Sequence, residues 1–252
     1  MPTPSQNWKL VWSEEFDTPH LNPAIWNRQV EPAGRFNQEW QRYTDDEKNA
    51  YIENGQLIIK AIHETDQHNS NQYTSARLNT SQKQTFRYGK IAARIKLPHG
   101  PGIWPALWML GANCDENGGD TPWPKCGEID ILELYGSNND AIVEANIHYA
   151  NHNHKHAMLT PPQYQLPHGI FADDFHLFEI IWNKDQIQWL VDGTPYASTP
   201  ITHQERKPFH QEFYLLLNIA IGGEWAGRPD VNTTFPQTMT IDWIRVYQMK
   251  ED

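Results

Sequence analysis

Glu128, Asp130 and Glu133 are the side chains best placed to do chemistry, and they stand close together in Gly127-Glu128-Ile129-Asp130-Ile131-Leu132-Glu133-Leu134-Tyr135-Gly136. On a β-strand, residues two apart share a face, so Glu128 and Asp130 point one way while Ile129 and Ile131 fill the other. Glu133 falls on the wrong side unless one extra residue, near Leu132, enters as a β-bulge and turns it back. Three carboxylates then line one face above an apolar underside. Like charges so close repel, and a fold gains nothing from them unaided. Catalysis explains them better. One ionised nucleophile and one protonated acid about 5–5.5 Å apart are the equipment of a retaining glycosidase. Asp130, between them, is placed to hydrogen-bond the nucleophile and to raise the neighbouring acid's pKa by its charge. The plainer readings are an acidic edge strand or a divalent-cation site.

The surroundings of this run resemble a known family. Asn37-Gln38-Glu39-Trp40-Gln41-Arg42-Tyr43-Thr44, Tyr73-Thr74-Ser75-Ala76-Arg77-Leu78, Ile103-Trp104-Pro105-Ala106-Leu107-Trp108 and Gly222-Gly223-Glu224-Trp225 carry the likeness, which covers nearly the whole chain. The chain is similar to glycoside hydrolase family 16 and, within it, to the bacterial laminarinases (endo-β-1,3-glucanases). The resemblance implies Glu128 as nucleophile and Glu133 as acid/base. The lichenase branch of the family has one residue fewer between the Asp and the second Glu, so the longer spacing here looks like the laminarinase side.

The elements that must position these acids read as strands. Lys90 to Leu97 alternates, with Ile91, Ala93, Ile95 and Leu97 on one face, and Thr240 to Tyr247 does likewise. Glu53-Asn54-Gly55 and Val191-Asp192-Gly193 carry hairpin-turn signals between apolar runs. No repeat or linker divides the chain, and large all-β folds of 252 residues are commonly one domain. The expected architecture is an all-β, antiparallel two-sheet sandwich, residues 1–252 forming a single catalytic domain. The resemblance sharpens this to a β-jelly roll with an open substrate cleft on its concave sheet.

Ser137-Asn138-Asn139-Asp140 reads as a turn, so Val143 to Tyr149 should return beside the catalytic strand with Glu144, Asn146 and His148 on one face. That register sets His148 level with Glu128, within reach of Asp130 or a substrate hydroxyl; the plainer reading is a satisfied strand histidine. Trp104 and Trp108, four apart in a strand, point the same way. The resemblance places both at the cleft, stacked on successive glucose units, and it also matches Asn37, Arg77 and Trp225 to sugar-contacting positions. Arg77 suits the paired hydrogen bonds of a diol, against an ordinary surface arginine. Trp123, in a loop near the cleft, joins them as a candidate. His152, His154 and His156 lie among Asn and Lys and read as a solvated loop rather than a metal site. Family likeness further implies a structural calcium, with Glu14, Gly55 and Asp242 as candidate ligands of a type that suits that ion. Catalysis itself needs no cofactor.

Composition narrows the partners. A formal net charge of −11, with no basic cluster, disfavours nucleic acid and sulfated galactans, and is indifferent to a neutral β-glucan. Eleven tryptophans favour such a polymer, since flat aromatic faces match the apolar faces of sugar rings. No stretch of about 18 apolar residues is present to span a membrane. Met1 to Ser5 shows no signal segment, yet the resemblance implies a secreted or periplasmic monomer. Cys114 and Cys126 flank a polar loop before the catalytic strand; a disulfide and two independent thiols are both open. Hydrolysis of internal β-1,3-glucosidic bonds leads the functional readings. An agarase, a mixed-linkage glucanase or a non-catalytic glucan-recognition protein are its rivals.

Overall fold

The period-two alternation is realised as two stacked β-sheets in the computed structural model, which describes residues 8–65, 71–136 and 139–250. Among the described residues one sheet has 10 strands and the other 8, and every strand pairing is antiparallel except that of Gln41–Tyr43 with Asn71–Ser75. This is the jelly-roll sandwich that the sequence leads one to expect. Gly89–Lys96 buries Ile91, Ala93 and Ile95 and turns Lys90, Arg94 and Lys96 outward. Both hairpins form: Asn54 and Gly55 have φ of 53° and 73°, Asp192 and Gly193 of 51° and 72°. Positive φ at both central residues is what the tight two-residue hairpin turn demands.

The acid-bearing strand, Glu128–Glu133, lies inside the 8-stranded sheet between Ile103–Gly111 and Ile142–Ala150. Beyond Ile103–Gly111 runs Phe213–Ile221. Beneath the acids Ile129, Leu132, Ile147 and Leu107 meet Ile91, Phe178 and Ile244 of the other sheet in one core. Ile129 is wholly buried, so truncating it to Ala costs about 2–5 kcal/mol and loosens the strand that carries the chemistry. Ile142–Ala150 returns antiparallel beside the catalytic strand as the sequence implies; of the expected turn, Ser137 and Asn138 lie outside the described residues, as do Met1 to Ser5. Among the described residues no helix is long and apolar enough to cross a membrane.

Cys114 and Cys126 are buried free thiols whose Sγ atoms face each other at 2.7 Å. Of the candidate calcium ligands Glu14, Gly55 and Asp242, both carboxylates have hydrogen-bond partners within the protein. Glu14 accepts from the Phe16 N–H and from the indole of the buried Trp26. Asp242 accepts from Gln56 at 3.1 Å and from the Arg94 guanidinium at 2.8 Å. All four carboxylate oxygens thus face N–H donors, one of them a cation.

Candidate active site

Gly127 opens the catalytic strand in a conformation only glycine enters without cost. Its φ is +81°, and an added Cβ would stand 2.8 Å from the Pro208 Cβ. Glu128 pairs with Leu110 and Asp130 with Trp108, but Leu132 pairs with Leu107, so the extra residue enters between Asp130 and Leu132. That bulge returns Glu133 to the face of the other two acids. It also lets Ile131 and Leu132 both enter the core. Across the other edge Glu128 lies opposite His148 and Asp130 opposite Asn146, the register expected.

The two outer glutamates have different surroundings. Glu133 accepts from the Trp104 indole at 3.0 Å, the Tyr135 hydroxyl at 3.1 Å and the Asn146 amide at 2.7 Å. Glu128 accepts from the Trp123 indole at 2.7 Å, and His148 Nε2 stands 3.7 Å away. The same Nε2 is 3.2 Å from Asp130. Burial, then the charge of Asp130, pushes Glu133 up to about 8. Burial, then the charge of Glu128, pushes Asp130 up to about 7. Burial also raises Glu128, but the cationic His148 and the Trp123 N–H pull it back. Burial opposes charge on His148, yet Glu128 and Asp130 outweigh it and hold the ring at about 9. A Glu133 raised to about 8, facing a Glu128 that has a cationic ring and an N–H donor beside it, suits a division into acid and nucleophile. Glu128, Asp130 and His148 bring donor atoms within 4.8 Å of one another, with the His148 ring beside both carboxylates and the Asp130 Oδ2 otherwise without a hydrogen-bond partner.

These groups floor a cleft of about 800 Å³ on the outer face of the 8-stranded sheet. Asn37, Arg77, Trp104, Trp108, Trp123, His148 and Trp225 all line it, so the structure gathers every sequence-predicted substrate residue in one place. Their settings differ. Arg77 is not a surface arginine. Its side chain is buried, its guanidinium bonds Glu116 and Gln29, and it lies between the rings of Phe36 and Trp108 at 4.4 and 4.6 Å. Its Nε and Nη2 help hold the cleft wall. Trp104 is only 8 % exposed and packs on Tyr135, so it orients Glu133 more than it offers a platform. Trp108 keeps an open face, with its N–H tied to Asn218 at 2.8 Å. Trp225 and Trp123 are 54 % and 43 % exposed and frame the cleft, and Asn37 is exposed beside them at a φ of 44°.

Sequence reasoning missed four groups. Asn146 was on the right face but had no assigned task, and Tyr135 follows Glu133 by two residues, the period that shares a face. Glu116 bonds Arg77 across 39 residues of chain, a pairing no local signal encodes. His156 is not in a solvated loop: it starts the strand His156–Leu159, and its Nε2 lies 2.9 Å from His148 Nδ1. His152, exposed as His156 is, pairs with Glu205.

The likeness to known proteins is broad. Residues 35–245 match the family described as Glycosyl hydrolases family 16. The chain is 39 % identical over 255 aligned residues to a beta-glucanase of Rhodothermus marinus, covering 97 % of this chain and 87 % of that one. It is 34 % identical to glucan endo-1,3-beta-glucosidase A1 of Niallia circulans, covering 95 % of this chain but 38 % of that longer protein. The crystal structure of the laminarinase catalytic domain of Thermotoga maritima MSB8 superposes with a TM-score of 0.84 at 41 % identity, covering 98 % of this chain and 100 % of that one.

Proposed function

The chain belongs to glycosyl hydrolase family 16, and on that premise we propose that it is an endo-acting, retaining β-1,3-glucanase that cuts laminarin-type glucans. One observation carries the mechanism: two glutamates on one face of one strand, Glu133 raised to about 8 among neutral donors, and Glu128, itself raised by burial, beside the His148 ring and the Trp123 N–H that favour its anion. Glu133 delivers its proton to the glycosidic oxygen as Glu128 attacks the anomeric carbon, which breaks that bond and leaves a glycosyl ester on Glu128. Glu133, now a base, takes a proton from water, whose oxygen displaces Glu128 and restores the anomeric configuration. Both proton and nucleophile come from side chains, so the chemistry calls for no cofactor.

Substrate choice rests on the cleft. The half-buried Trp108 and the exposed Trp123 and Trp225 suit the apolar faces of a neutral glucan, and the net charge of −11 repels a sulfated one. Such a polymer does not cross membranes, so the same proposal has one catalytic domain acting as a monomer outside the cytoplasm. The experiment is reducing-end release from laminarin, lichenan and agarose side by side. Laminarin should be cut fastest into several oligomer sizes. Agarose or lichenan as the best substrate overturns the linkage, and no release from any of the three, with laminarin still bound, favours a glucan-recognition protein.

A further inference from the structure

His148 has a second partner that the hydrolytic scheme leaves unused. Its Nε2 faces Asp130 and Glu128, while its Nδ1 lies 2.9 Å from the Nε2 of His156. The ring planes differ by 14° and the centroids stand 5.1 Å apart. That separation is the N···N distance plus one ring radius at each end, so the rings lie edge to edge in nearly one plane. This is the arrangement of a linear N–H···N hydrogen bond, not of face-to-face packing. Only one of the two nitrogens carries the shared hydrogen. The carboxylates at the far side of His148, Asp130 and Glu128 with Glu133 beyond them, favour its doubly protonated form. His156 is driven the other way, by its partial burial and then by the charge on His148. Besides His148 it meets the uncharged Trp123 ring at 4.7 Å.

We propose that His156 is a positioning residue for the reaction: its neutral Nε2 accepts the Nδ1–H of His148 and fixes that ring, as a cation, against Asp130 and the nucleophile Glu128. The chain of contacts then runs His156, His148, Asp130 and Glu128, and it ends on the reacting carboxylate. Its second effect is on Trp123, whose N–H bonds Glu128 and whose ring leans on His156. The proposal rests on the glucanase reading for its kinetic arm only.

Two variants separate hydrogen bonding from bulk. His156→Leu keeps much of the volume and has no acceptor, whereas His156→Gln places an amide oxygen near the position of Nε2. Because the ring also borders the cleft, KM for laminarin should move by similar amounts in both. The turnover number should fall by about tenfold in His156→Leu, the equivalent of one hydrogen bond to a charged group, and Gln should recover most of that loss. Independently of activity, nitrogen-15 NMR of the histidine rings should show both nitrogens of His148 protonated near neutral pH in the wild type. In His156→Leu the His148 Nδ1 signal should shift and exchange with water faster. Equal kcat loss in the Leu and Gln variants, or a His148 ring spectrum indifferent to His156→Leu, overturns the proposal. Failure of the wild type to hydrolyse laminarin overturns the glucanase reading instead and leaves the NMR result standing.

Discussion

Asp130 stands between two glutamates that must titrate apart, and Asp130→Asn removes its charge while keeping its shape. Burial is the larger reason that Glu133 rises to about 8, and the Asp130 charge is the next. Neighbouring same-face positions on a strand are about 6.6 Å apart, and two unit charges at that separation interact by about 2.5 kcal/mol at an effective dielectric of about 20. One pH unit corresponds to about 1.4 kcal/mol, so the charge accounts for just under two units of the rise. Asp130, at about 7, is itself mostly ionised by the pH at which Glu133 loses its proton, so little of this effect is lost to its own titration. Losing Asp130 also deprives His148 of one carboxylate. Glu128 remains 3.7 Å from the same ring and keeps it charged.

Loss of the Glu133 proton removes the general acid, so kcat/KM falls about tenfold per pH unit above that limb. In Asp130→Asn the basic limb should move down from about 8 toward about 6, burial holding it above an ordinary glutamate. The assay is reducing-end release from laminarin between about pH 5 and 10, with circular dichroism and laminarin binding as checks on fold and cleft. A basic limb left in place at an unchanged rate makes Asp130 structural. A limb that moves upward contradicts the sign of the whole argument.

Three further outcomes follow from the same contacts. Glu128→Gln should abolish turnover, whereas Glu133→Ala should regain activity with azide and yield a glycosyl azide of retained β-configuration, because azide opens the glycosyl ester without a base; near-normal activity in Glu128→Gln removes it as nucleophile. Trp123→Phe deletes the N–H that Glu128 accepts at 2.7 Å, so the acidic limb of the profile should move to higher pH, by about one unit for one charge-assisted bond, and a fixed limb would separate Trp123 from the nucleophile. Stability should also depend on pH: Glu133 and Asp130 have raised folded-state pKa values, so their contribution is full at low pH and is lost as pH rises through about 7 to 8, while that of His148 is full below about 6.5 and is lost through about 9. Urea melts should therefore weaken from about pH 6 to 9, less steeply in Glu133→Gln, and an equal slope in both proteins refutes the assignment.

What the sequence made legible was whatever repeats at the scale of a strand. Alternation placed Glu128, Asp130 and Glu133 on one face once a bulge was admitted, and the same count carried Glu144, Asn146 and His148 to the neighbouring strand. Asn-Gly and Asp-Gly marked two hairpins, because few other residues tolerate their positive φ. Arg77 and His156 were misread for one reason. Each is defined by a partner that chain distance hides: Glu116 is 39 residues from Arg77, and His148 is 8 from His156 but on the adjacent strand. Composition around His156, all Asn, His and Lys, argued for a solvated loop; the strand pairing of Ala150 with His156 overrode the loop, while the side chain does stay exposed.

Trp104 and Trp108 show where that limit lies. Period alone makes them equivalent, two indoles facing the cleft from one strand. Their cross-strand neighbours make them different. Trp104 stands beside Glu133 and gives its N–H to that acid, so it is buried and its ring is pinned against Tyr135. Trp108 stands opposite Asp130 but turns its N–H to Asn218, with Arg77 packed on its ring, and this leaves it partly open above the cleft floor. Ala106 lies between them, opposite Glu133, and its small side chain leaves room for a sugar over the acid. The same residue type therefore tunes a proton donor at one position and presents a surface at the next, and the bulge at Asp130–Leu132 sets which is which. Without it Glu133 would turn into the core, and Trp104 would have no acid to orient.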